Sequence, residues 1–122
     1  MKHTLVVLAL LLGFILPVHA EKLADGNQLL HYCQLALRYA DTHNLPSEDM
    51  SNASHCIGTV HGAADTLVWL DKIKTADGVT VEQEIRIVVK YMQDHPAKLA
   101  EPDVALILEA LVEVFPMKGP AQ

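Results

Sequence analysis

The sequence predicts an all-α fold, a small bundle of about four main helices stapled by one disulfide. Three observations lead there. Apolar residues recur three and four positions apart in four separate stretches. No stretch alternates with period two strongly enough to make a strand, although Arg86-Ile87-Val88-Val89 taken alone is β-friendly. The chain holds two cysteines, Cys33 and Cys56, each on the apolar stripe of its own helix.

The first twenty residues, MKHTLVVLALLLGFILPVHA, have Lys2 near the start, an apolar run from Leu5 to Leu16, and the small-residue exit Val18-His19-Ala20. That order is a secretory signal peptide, with cleavage after Ala20. The apolar run of about twelve residues is well short of the roughly twenty that cross a bilayer as a helix. Residues 21–122 then form one domain of an exported protein, with no membrane segment after the signal is removed. The whole chain carries a formal charge of −6. An acidic surface argues against nucleic acid as a partner and suits a basic protein.

Asp25 to His43 is the first helix, with apolar residues at 29, 30, 33, 37 and 40. Asn44-Leu45-Pro46-Ser47 breaks it. The second helix begins at Glu48 or Ser51 and runs to Lys74, its stripe being Cys56, Val60, Ala63, Ala64, Leu67 and Leu70. Gly58 and Gly62 lie one turn apart on another strip of that helix. Each costs about 1 kcal/mol against alanine. Keeping both points to close packing by another helix or another subunit, or else to a merely bendable helix. After the loop Lys74–Val79, Thr80-Val81-Glu82-Gln83 is a capping box that starts the third helix. Its stripe is Val81, Ile85, Val88, Val89 and Met92, and it stops at His95-Pro96. Pro102 suits the opening of the fourth helix, which carries Val104, Ile107, Leu108, Leu111 and Phe115 and ends at Pro116.

The stretch SHCIGTVHG, residues 54–62, places His55, Cys56 and His61 close together. On a helix, His55 and His61 point about 120° apart and Cys56 and His61 about 140° apart, so the three fan outward and hold no common metal ion. Neighbours on a helix also point apart, so His55 cannot activate Cys56 as a thiol nucleophile. A structural bridge fits the compartment best. Cys33–Cys56 closes a loop of about 24 residues, worth roughly 3.4 kcal/mol in the chain-entropy account. His55 and His61 are then polar residues of a surface or interface.

Trp69, beside Leu67, Val68 and Leu70, is read as packing. Glu82, Glu84, Asp94, Glu109 and Glu113 are read as spread over solvent faces, with no pair set for opposed acid and base roles. No phosphate loop, nucleophile elbow or serine triad signature occurs. The chain is read as a non-enzyme without cofactor or metal.

From Cys56 onward the order of features resembles the Rap/Tai family of periplasmic immunity proteins, which protect bacteria against type VI secreted peptidoglycan amidases. The resembling segments are HCIGTVHGAADTL, DGVTVEQEIRIVVKYMQDHPAKL and ALILEALVEVFP. They place Cys56, Gly58, Gly62, Asp65, Gly78, Val79, Thr80, Gln83, Val89, Tyr91, His95, Pro96, Ala110, Phe115 and Pro116 in the family's order. Many members carry a further cysteine pair before the loop and after the Phe-Pro. Here those places are Asp71-Lys72-Ile73-Lys74 and Met117.

The resemblance implies an all-α homodimer that binds a cognate secreted amidase toxin and blocks its cleft by shape and charge. Thr75, Ala76, Asp77, Gly78 and Val79 form the preferred inserting loop, and an ordinary interhelical turn stands beside that reading. The rival expectations are a periplasmic small-ligand or metal-binding protein, suggested by His31, His43, His55 and His61 near the disulfide, and an envelope accessory protein without a toxin partner.

Overall fold

The computed structural model describes residues 24–117, so the predicted signal peptide lies outside the described residues. Four α-helices follow in order: α1 (Gly26–Thr42), α2 (Ser47–Trp69), α3 (Val81–Asp94) and α4 (Asp103–Val114). A 3-10 turn, Pro96–Lys98, joins the last two. The described residues include no strand, and the two extended pairings are the isolated bridges Asp25–Pro102 and Ile73–Pro116.

Side-chain caps start α1 and α3. The Asp25 carboxylate accepts the Gln28 amide N–H at 3.1 Å and begins α1. At α3 the capping box is complete: the Thr80 hydroxyl accepts from the Gln83 amide N–H at 3.2 Å, and the Gln83 side-chain oxygen accepts from the Thr80 amide at 2.8 Å. Pro102 immediately precedes the first helical residue of α4.

The end of α2 differs from the sequence expectation. The helix stops at Trp69 rather than Lys74. Asp71 adopts a left-handed φ of 53°. Its amide bonds the Val68 carbonyl at 3.0 Å, and the Lys72 amide bonds the Leu67 carbonyl at 2.8 Å. This is the paired closure that usually recruits glycine at the left-handed position. With Asp in that place the sequence carries no obvious stop signal.

The core gathers the inner faces of all four helices. Leu29, Cys33, Cys56, Val60, Val88, Met92, Leu106, Ile107 and Leu111 are fully buried. Helix α1 packs chiefly on α2, α3 lies across both, and α4 closes the other side against α3 and α2. The stripes hold with exceptions. Leu70 and Val104 are about half exposed, because one lies past the end of α2 and the other in the first turn of α4. Leu106 and Ala110 are buried in addition, since α4 is covered over more than one stripe.

Two ties close the chain on itself. The Gly26 amide bonds the Glu101 carbonyl at 3.0 Å and the Asn27 amide bonds the Leu99 carbonyl at 3.1 Å, fastening the start of α1 to the connection before α4. The Lys74 amide bonds the Phe115 carbonyl at 3.2 Å, fastening the segment after α2 to the end of α4. Lys98 adds a side-chain tie, its Nζ donating to Glu109 at 2.6 Å and to the Tyr91 hydroxyl at 3.2 Å. The Lys98 ammonium, with the Tyr91 hydroxyl, holds the Glu109 carboxyl below its ordinary range.

Candidate functional site

Cys33 and Cys56 form the disulfide between α1 and α2, and both are fully buried. The bridge anchors α2, whose C-terminal end leads into the loop. Ile73, just after α2, is buried, and the bridge to Pro116 pins it. On the other side the capping box pins Thr80. Between these anchors Ala76, Asp77 and Gly78 are exposed, with Thr75 and Val79 half-buried. The Val79 amide bonds the Ala76 carbonyl at 3.3 Å, closing a tight turn. Gly78 has φ +86°, the conformation that residues with a Cβ adopt at a cost. The five loop residues therefore form one short projection with fixed ends.

Beside the loop lies a shallow apolar groove of about 310 Å³. Its walls are Ala36, Leu37, Tyr39 and Ala40 from α1 with the cap residue His43, Ile57 from α2, and Val81, Glu82 and Ile85 from α3. At its rim the Arg86 guanidinium donates to Glu82 at 2.7 Å and to Asp41 at 2.8 Å.

The outward face of α2 bears on two readings. Gly58 and Gly62 are exposed, and a Cβ at either would meet nothing within 4 Å. Within this chain they serve no close packing, because they lie on the side of α2 away from Cys56, Val60, Ala64 and Leu67. Trp69 is 82% exposed, not packed. It sits about 180° around the helix from Val60, so its apolar sequence neighbours misled and the helical register would have placed it correctly.

A further correction concerns Glu84. The sequence suggested a solvent face, yet the residue is buried where α2 covers the first turns of α3. Its position four before Val88 and seven before Tyr91, both buried, was the available signal. Glu84 Oε2 lies 3.2 Å from His61 Nδ1, and His61 Nε2 lies 3.6 Å from Asp65. Burial pushes the Glu84 carboxyl upward, partly offset by the hydrogen bond and charge of His61.

The histidines are dispersed. His55 meets the Tyr32 ring edge-on, His43 meets Tyr39, and His95 stacks on Tyr91 with ring centroids 4.2 Å apart. Among the described residues no group of three or more His, Cys, Asp or Glu side chains is placed to hold a metal ion. Nor, among them, is any helix long and apolar enough to cross a membrane. The described surface thus carries a braced loop, a groove and an exposed helix face.

No curated protein and no solved structure matches the chain significantly. A family model does: that of Rap1a immunity proteins matches residues 25–117, every described residue except the first. The fold, the buried bridge and this match agree, and the chain belongs to the Rap1a immunity protein family.

Proposed function

We propose that this chain is a periplasmic immunity protein that binds a cognate type VI secreted peptidoglycan amidase, occludes its active site and does no chemistry of its own. The observation that carries the reading is the loop Thr75–Val79, exposed at Ala76, Asp77 and Gly78 and braced at both ends. A loop already held in one shape loses little conformational freedom when it enters a cleft. Asp77 puts a carboxylate at its tip, and the net charge of −6 steers the protein toward a basic toxin. The neighbouring groove takes an apolar side chain from the rim of that cleft.

The protein acts as a homodimer, with the outward face of α2 as the contact. Gly58 and Gly62 leave a flat strip there for a second backbone, and Trp69 supplies the large apolar side chain that anchors interfaces. The buried disulfide fits an oxidising compartment, in keeping with export.

Co-expression in the periplasm with any secreted peptidoglycan amidase found encoded next to the gene tests the reading. Protection by the wild-type chain, lost on Asp77→Arg while the folded protein persists, is the expected result. Failure of the wild-type chain either to bind or to protect against that amidase overturns it.

A further inference from the structure

Cys33 and Cys56 are bonded to each other and each is 0% exposed. Buried Leu29 and Ala36 lie one turn to either side of Cys33 on α1, and buried Ala53 and Val60 do the same for Cys56 on α2. Helix α1 packs on all three other helices, most extensively on α2. Uncovering Cys33 therefore means taking α1 away from the rest of the core. The chain has no third cysteine to reshuffle the bridge from within. Making or breaking it requires an outside thiol or disulfide to touch one of these two sulfurs. In sequence they are only 23 positions apart, so the open chain brings them together without help from the fold.

We propose that the Cys33–Cys56 bridge is a fold-sealed lock, made on the open exported chain by exchange with a disulfide-carrying oxidant and then closed to thiols when α1 docks. The exchange balances in two steps. A thiolate of Cys33 or Cys56 attacks the carrier's disulfide, which gives a mixed disulfide and expels one carrier thiolate. The other cysteine, as thiolate, attacks the chain's sulfur in the mixed disulfide, forming the bridge and expelling the second carrier thiolate. The two cysteines give up two protons and two electrons, and the carrier becomes a dithiol. Oxidation must come before docking, because docked thiols would be as inaccessible as the bridge. The bridge anchors α2, which leads into the loop Thr75–Val79, so the loop acquires its full brace only after oxidation; this consequence rests on the function proposed above.

Reduction of purified residues 21–122 by dithiothreitol, over a series of urea concentrations, tests the lock with no toxin present. Free thiols are counted by alkylation and mass spectrometry. Without urea the bridge is expected to be reduced at least about a thousandfold more slowly than in the fully unfolded chain. The logarithm of the rate is expected to climb with urea at the slope of equilibrium unfolding. Leu111→Ala truncates a fully buried side chain on α4, the helix that follows the loop and α3 and carries neither sulfur. It is expected to speed reduction without urea at least about tenfold, by raising the unfolded fraction. Oxidation retraces the same path, so this profile also decides where the bridge is made. A rate without urea within about tenfold of the unfolded chain, or one indifferent to urea and to Leu111→Ala, overturns the proposal. Neither result touches whether the chain binds an amidase, so the two readings fail separately.

Discussion

The two faces of α2 follow different rules. Its inner face, Ala53, Cys56, Val60, Ala64 and Leu67, is buried, holds one half of the disulfide and packs at helical spacing against the other helices. Its outer face carries two glycines with open space above them and a tryptophan that is 82% exposed. The inner residues are explained by the folded chain alone. The outer ones are not, since mid-helix glycine lowers stability and an exposed indole gains nothing from the core. Their presence is accounted for by contact with a second molecule, as proposed above. One helix thus separates what holds the fold from what the fold presents.

The largest effect expected from breaking this comparison is on the inner face. Cys33→Ala with Cys56→Ala removes the bridge and is expected to cost about 3 kcal/mol in denaturant unfolding. Next comes a paired test with one chemical change at a packed glycine and at two open ones. A Cβ at Gly26 would collide with the Leu106 side chain and lie 3.0 Å from the Leu99 backbone. Leu106 is fully buried and the backbone cannot yield, so Gly26→Ala is expected to destabilise by about 1–3 kcal/mol. Gly58→Ala and Gly62→Ala meet no neighbour and are expected to stabilise the isolated chain by about 0.5–1 kcal/mol each. In sedimentation experiments the same two substitutions are expected to weaken the self-association proposed above. The smallest effect belongs to Trp69→Ala, which is expected to leave unfolding free energy within about 0.5 kcal/mol of the wild type while also weakening self-association.

Much of this fold was legible because its determinants are local. Asp25 before an apolar-periodic run, Thr80 three residues before Gln83, and His95 before Pro96 each act within one helical turn. The bridge was legible because two cysteines on two apolar stripes leave one intramolecular pairing. What escaped depends on distant or unusual conformations. The stop after Trp69 uses Asp71 in a left-handed conformation, where glycine would have advertised itself. Ile73 is buried because the chain end returns to it through Pro116. The burial of Glu84 requires α2 to lie over α3, a docking that α3's own pattern only hints at. At the candidate site the loop was visible from its glycine and its flanking helices. The exposure of Trp69 was also encoded in the register, yet the apolar residues beside it in sequence pointed the other way.

The most direct measurement is the affinity of purified residues 21–122 for the secreted amidase proposed as the partner, taken for the wild type and for Asp77→Arg by calorimetry, with Tm recorded for both. The account expects the wild type to bind and the variant to bind at least about tenfold more weakly, a loss of roughly 1.4 kcal/mol, at an unchanged Tm. Equal affinities at equal Tm would contradict it, because the braced loop would then play no part in recognition.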